Sequence, residues 1–216
     1  LKVDANYYFG VPVESGEVQY SITTQDYYFD RYSDYRFSFG SGWYYDFDPD
    51  FGDNFILRGK ADLNSQGKAE IVHNLDFNKY FRDEARDRSK IFVVRASVKN
   101  STGQSVSSEK SFIVHRGEFY LGVNLEKNYF AKDEPNKLYI KSVDTQGKEK
   151  ATGGMKGKIT RVKWEYFKRQ EVDGGYYYHS KRKLETIKEF EASTDGQGNF
   201  NMDLKLGSEG EYEVEI

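Results

Sequence analysis

The residues best spaced for chemistry in this 216-residue chain are four aspartates in Asp46-Phe47-Asp48-Pro49-Asp50-Phe51-Gly52-Asp53. Asp46, Asp48, Asp50 and Asp53 sit at alternate or near-alternate positions, and carboxylates so placed can wrap a hard cation that takes roughly six to eight oxygens. The run copies the start of a calcium loop, but Pro49 and Phe51 are foreign to one and no glutamate stands at the closing position. A solvated acidic loop is the competing reading. His73, His115 and His179 are far apart, with no ligand-like spacing, and Gly40-Ser41-Gly42 lacks the Gly-x-Ser-x-Gly context of a nucleophile elbow. The chain has no cysteine, which removes disulfides, thiolate metal sites and a cysteine nucleophile from it. The expectation is a protein with no catalytic residues, no cofactor and no enzymatic activity.

The acidic run lies inside a longer aromatic stretch. Residues 25–54 consist almost wholly of Tyr, Phe, Trp, Asp, Ser, Gly and Arg, with seven aspartates against two arginines. Phe37, Phe39, Trp43, Tyr44, Tyr45, Phe47 and Phe51 form a candidate interaction surface, because rings with polar tips suit interfaces and can stack on sugars. The alternative is that these rings bury one another or pack on a neighbouring domain, since so many exposed rings would make a large sticky patch. The densest basic stretch, Lys156, Lys158, Arg161, Lys163, Lys168 and Arg169, reads as the wet face of a long strand, where lysines discourage edge pairing. With 32 basic and 35 acidic residues the net charge is -3, which argues against a nucleic-acid partner.

The elements that must hold these residues read as strands. Aromatic residues make up 17% of the chain and prolines number only three, a composition suited to half-buried pleated surfaces. Val18, Tyr20 and Ile22 alternate with Gln19, Ser21 and Thr23, the period of a strand with one wet face. Further strands are expected over residues 55–63, 67–75, 91–98, 104–114, 118–125, 138–143, 155–167, 176–179, 184–192, 200–206 and 211–216. Their turns carry Asn64-Ser65-Gln66-Gly67, Asn100-Ser101-Thr102-Gly103, Asp144-Thr145-Gln146-Gly147 and Asp195-Gly196-Gln197-Gly198. Residues 77–88, with Phe77, Tyr80 and Phe81 at helical spacing, are the one place where a short helix is expected. No apolar run approaches the roughly 20 residues needed to cross a bilayer.

The chain also repeats itself. Residues 60–71 around Asn64-Ser65-Gln66-Gly67 are echoed by residues 191–202 around Asp195-Gly196-Gln197-Gly198. Between the copies, Phe112-Ile113-Val114 and Phe119-Tyr120-Leu121 flank one polar turn, His115-Arg116-Gly117-Glu118, which reads as a tight inter-domain joint. The fold expected is all-β: two tandem antiparallel β-sandwiches, residues 1–116 with an insertion at about 25–54, and residues 117–216. One large jelly roll is the rival.

Several of these residues resemble a known family. Ala5-Asn6-Tyr7-Tyr8-Phe9-Gly10-Val11-Pro12-Val13 is similar to the opening strand and turn of a macroglobulin-like domain of bacterial alpha-2-macroglobulins. Ser111-Phe112-Ile113-Val114-His115 with Glu118-Phe119-Tyr120-Leu121-Gly122-Val123 resembles the junction to the next such domain. Val143-Asp144-Thr145-Gln146-Gly147-Lys148 and Thr194-Asp195-Gly196-Gln197-Gly198 fit its turns. The resemblance implies a third-position and a fourth-position macroglobulin-like domain, both fibronectin-III- or immunoglobulin-like sandwiches, the second lacking its last strand at Ile216. It implies a scaffold fragment of an envelope protein, periplasmic or surface-exposed and lipid-anchored through a missing N-terminus, that entraps proteases. Its partners would be other domains of the same polypeptide, and proteases only through the full-length protein. Neither a bait segment nor a thioester cysteine can be assigned here. The competing function is a carbohydrate-binding or adhesin-type module that uses the aromatic insertion.

Overall fold

The computed structural model describes residues 1–40, 54–81, 88–170 and 174–216. The chain divides into two compact units, Leu1–Tyr28 with Gly40–Glu118, and Phe29–Phe39 with Phe119–Ile216. Both are built of antiparallel sheets, and no helix among the described residues is long and apolar enough to cross a membrane.

In the first unit, β1 (Lys2–Asp4) pairs with β5 (Lys68–Glu70). A second sheet has the order β4-β2-β6-β7, from β2 (Glu17–Asp26), β4 (Asn54–Asp62), β6 (Lys90–Lys99) and β7 (Ser105–Val114). The alternation of β2 holds in its first half, where Val18, Tyr20 and Ile22 are buried and Gln19 is exposed, but Thr23, expected on the wet face, is buried just past a register shift in the pairing with β4. Val18 and Tyr20 join Val13, Leu63 and Ile71 in the core, with Val3, Ala5, Leu57, Ala69 and Val98 packed around them. At the other end of the sheet Phe92 is fully buried, stacked on Phe112 at 5.5 Å and met edge-on by Tyr80 at 5.8 Å.

The second unit has two facing sheets. One takes β3 (Ser38–Phe39), β8 (Phe119–Leu125), β9 (Asn136–Asp144) and β12 (Asn199–Leu204) in the order β12-β9-β8-β3. The other takes β10 (Met155–Gln170), β11 (Tyr176–Ala192) and β13 (Glu211–Glu215) in the order β11-β10-β13. Ile140, Met155 and Ala192 form one core cluster, and Ile159, Leu204 and Leu206 another, with Phe190 packed against both.

Three expectations change. The short helix over 77–88 is a 3₁₀ helix at Phe77–Phe81, and residues 82–87 lie outside the described residues. The strands expected at 176–179 and 184–192 are one 17-residue strand, β11. Ser180-Lys181-Arg182-Lys183 hid it, because a strand largely exposed on both faces needs no apolar alternation. The strand expected at 67–75 is only Lys68–Glu70.

The four turns noted in the sequence share one hydrogen-bond pattern. In each, the Asn or Asp side-chain oxygen accepts the N–H groups two and four residues on: Gln66 and Lys68 for Asn64, Thr102 and Gln104 for Asn100, Gln146 and Lys148 for Asp144, Gln197 and Asn199 for Asp195. The glycine at the fourth position has φ between 70° and 85°, a region that favours glycine. The repeat extends to the surroundings: Ala5 N donates to the Gly67 carbonyl at 2.9 Å, and Ser142 N donates to the Gly198 carbonyl at 2.8 Å.

A second device occurs three times among the described residues. Tyr20 stands opposite Gly59, Phe39 opposite Gly122, and Phe190 opposite Gly157. In each pair the ring lies across the glycine backbone, where a Cβ would collide with it. A glycine otherwise weakens a strand, and a cross-strand ring covers the gap it leaves. Gly157→Ala is expected to destabilise the chain by about 1–3 kcal/mol through overpacking against Phe190, whereas Gly153→Ala, with its nearest neighbour 3.6 Å from the added carbon, should be close to neutral. Urea denaturation of both variants checks this.

Candidate functional site

Phe37 and Phe39, the described rings of the candidate surface, pack into a cluster, while Tyr28 and Tyr35 of the same stretch are exposed. Residues Phe29–Phe39 belong to the second unit, where β3 pairs with β8 through Ser38 opposite Val123 and Phe39 opposite Gly122. Phe29 stacks on Tyr120 with ring centroids 4.2 Å apart, and Phe39 packs against Phe29 at 5.1 Å. Tyr32 meets Phe37 and Phe39 edge-on at 6.2 and 5.7 Å. Phe37 and Phe39 are thus half-buried parts of one ring cluster. Trp43, Tyr44, Tyr45, Phe47 and Phe51 lie outside the described residues, as do Asp46, Asp48, Asp50 and Asp53.

What the segment covers is a charged residue that sequence reading passed over. Lys141 lies in β9 and is only 3% exposed. Alternation explains it: Leu138, Ile140 and Ser142 face one side of β9, and Lys141 and Val143 the other. All five are buried, so β9 is covered on both faces. The register forms a straight row across the sheet, Phe39–Gly122–Lys141–Asn199. Lys141 Nζ donates to Glu149 Oε1 at 2.7 Å, the Gln197 carbonyl at 2.8 Å and Asn199 Oδ1 at 2.9 Å, and lies 5.6 Å from the Tyr32 ring centroid. Burial works against its charge, but Glu149 and Tyr32 outweigh it and hold the ammonium above the ordinary lysine value.

Lys141 therefore ties together the docked segment, the turn at 195–199 and Glu149. Arg31 Nη1 adds a bond to Gln146 Oε1 at 2.7 Å, and a Cβ at Gly147 would strike the Arg31 carbonyl. Arg36 folds back on Asp34 through its guanidinium and its own N–H, which holds the Asp34 carboxyl at about 2. These groups bond one another, the signature of a structural lock.

The four joint residues lie where sequence reading placed a turn. The division between units falls after Glu118. His115 meets Tyr27 edge-on at 5.8 Å, Arg116 N donates to Ser89 Oγ at 3.1 Å, and Arg116 Nη1 donates to the Phe81 carbonyl at 3.2 Å. Gly117 and Glu118 are exposed. The other two histidines are equally local: His73 Nε2 shares a hydrogen bond of 2.7 Å with the Tyr20 hydroxyl, and His179 stacks on Phe167. Among the described residues no cluster of His, Asp and Glu could hold a metal ion.

Residues 122–216 match the family model for bacterial macroglobulin domain 6, where the resemblance had implied a fourth-position domain. No curated protein matches the chain significantly in sequence. Among solved structures, E. coli alpha-2-macroglobulin in its native conformation aligns with a TM-score of 0.58 at 14% identity, over 95% of this chain and 13% of that one. Salmonella alpha-2-macroglobulin reacted with methylamine aligns with a TM-score of 0.58 at 14% identity, over 95% and 14% of the two chains. E. coli alpha-2-macroglobulin activated by porcine elastase gives 0.61 at 14% identity, over 95% and 18%. This chain thus has the fold of a stretch of those proteins and spans less than a fifth of their length.

Two predictions follow from the lock and its turns. Lys141→Met should cost about 1–3 kcal/mol, since it removes three hydrogen bonds that a buried ammonium makes to Glu149, Gln197 and Asn199, and chemical denaturation will read the loss. The Asp144 and Asp195 carboxylates are held below their ordinary value chiefly by the backbone N–H groups of Lys148 and Asn199. A depressed carboxylate stabilises the fold fully above its unfolded value of about 4 and loses that contribution as pH falls through the folded value. The double variant Asp144→Asn, Asp195→Asn should keep the turns, as Asn64 and Asn100 do, and show a shallower loss of stability as pH falls below about 4. Thermal melts across that range check it.

Proposed function

We propose that the chain, whose residues 122–216 match the family model for bacterial macroglobulin domain 6, is a segment of the bacterial alpha-2-macroglobulin family and serves as framework in a protease-trapping envelope protein. Its work in this reading is mechanical. It holds neighbouring parts of the same polypeptide in place and passes on their rearrangement when a protease attacks, while thioester and bait lie elsewhere. The chain has no cysteine with which to form a thioester. A solved relative described as activated by elastase supports a protease-responsive role.

One observation carries the proposal. Residues 29–39, which the chain order places between strands of the first unit, complete the sheet of the second. The chain passes between the units three times, after Tyr28, Phe39 and Glu118. A displacement carried along the polypeptide therefore reaches the edge of the second sheet through strand β3 as well as through the joint at His115, Arg116, Gly117 and Glu118. Around that edge the buried charge of Lys141 and the rings of Phe29, Tyr32, Phe37 and Phe39 are spent on internal bonding, which suits a part that transmits and does not catalyse.

The isolated 216 residues should give no protection of casein against elastase or trypsin at any molar ratio. The polypeptide that contains this chain should protect it, and Phe39→Ala in that polypeptide should weaken protection while leaving secretion intact. Dose-dependent protection by the isolated chain, or a containing polypeptide with no inhibitory activity, overturns the reading.

A further inference from the structure

The hairpin of β10 and β11 outruns the sheet it belongs to. β11 follows β10 along its whole length, from Met155 opposite Ala192 to Gln170 opposite Tyr176, but β13 pairs only with residues 158–162. Gly210, at φ 143°, turns the chain out of the sheet just before Glu211. Beyond that point residues 163–170 have no strand on their outer side among the described residues. Two-stranded ribbons are marginal in water, and this one carries exposed rings: Tyr166 is 75% exposed and Tyr178 80%, with Trp164, Phe167 and Tyr176 also open.

The strand that already occupies the inner part of this slot shows what β10 accepts. Glu211, Glu213 and Glu215 of β13 lie on one face and meet Trp164 Nε1 at 3.4 Å, the Arg182 guanidinium, and Lys158 Nζ at 3.0 Å. Tyr212 and Val214 turn to the core. β13 is thus an acidic strand alternating with apolar residues, laid against a basic one. The vacant continuation has the same character: residues 163–170 and 176–185 carry six lysines and arginines against two glutamates. Lys168 Nζ lies 4.8 Å from the Tyr176 ring centroid, so cation and rings share that face.

We infer that residues 163–170 of β10 form a docking edge for an extended acidic polypeptide segment of another protein, one that alternates carboxylate and apolar side chains and adds as a strand in line with β13. Backbone hydrogen bonds supply affinity in such strand addition, and side-chain alternation supplies selectivity. Charge decides among occupants. A second copy would bring a ribbon of the same positive sign, and lysines on an edge oppose such pairing, while an acidic strand meets the charge that β13 meets already.

The test uses the whole chain and an eight-residue peptide alternating Glu and Val. The peptide should bind with an affinity that falls as salt rises, and should slow amide exchange at residues 163–170 at least tenfold. The same peptide with Gln for Glu, and the variant Lys168→Glu with Arg169→Glu, should each weaken binding at least tenfold, the variant keeping the parent's far-ultraviolet spectrum. Binding without protection of those amides, or equal binding of the Gln peptide, overturns the inference. So does tighter binding of a sulfated polysaccharide or of anionic phosphatidylglycerol vesicles with those amides unprotected. Self-association that protects the same amides without any peptide would assign the edge to a second copy and overturn it as well.

Discussion

The second unit depends on the burial of one ammonium group. Lys141 stands where the alternation of β9 turns away from the core, a position that would ordinarily face water. Three acceptors within 2.9 Å and the ring of Tyr32 replace that water. A buried charge left without partners would be strongly destabilising, so the turn at 195–199, Glu149 and the docked segment are constrained together. Removing any one exposes or unpairs the group the others were built around. This explains why eleven residues from the first half of the sequence fold with the second unit.

The glycines make this closeness possible. Gly122 sits between Phe39 and Lys141 in the cross-strand row, and its missing side chain lets the Phe39 ring lie over the strand. The same exchange of a side chain on one strand for a ring from its neighbour recurs at Gly59 under Tyr20 and at Gly157 under Phe190. Each pair buries aromatic area against backbone, which suits a chain rich in Tyr and Phe and poor in large aliphatic residues. The two units thus meet a thin aliphatic supply with the same device.

The long hairpin inverts this economy. Its proximal part is sandwiched, with Ile159 fully buried, while its distal part shows rings and cations on an unpaired edge. Salt bridges along it, Lys163 with Glu185 and Lys183 with Glu165, join half-exposed partners and contribute little each. The distal ribbon is therefore held mainly by its own backbone ladder. It is a projecting edge and not part of a core.

Much of the fold was legible from local pattern, because turns and alternation are short-range physics. The four Asn/Asp-to-Gly turns, the burial of Val18, Tyr20 and Ile22 in β2 and the turn shared by residues 60–71 and 191–202 all follow from residues within a few positions of one another. The ownership of residues 29–39 did not, since nothing within that segment says which sheet it will complete. Lys141 carried no signal in the sequence because its partners lie 8, 56 and 58 residues away. β11 went unseen as one strand because periodicity reports burial, and a largely exposed ribbon buries little. The sequence by itself determined the strands, turns and charge; only the tertiary structure decided which strands share a sheet and which charge is buried, because those depend on contacts that close over long loops.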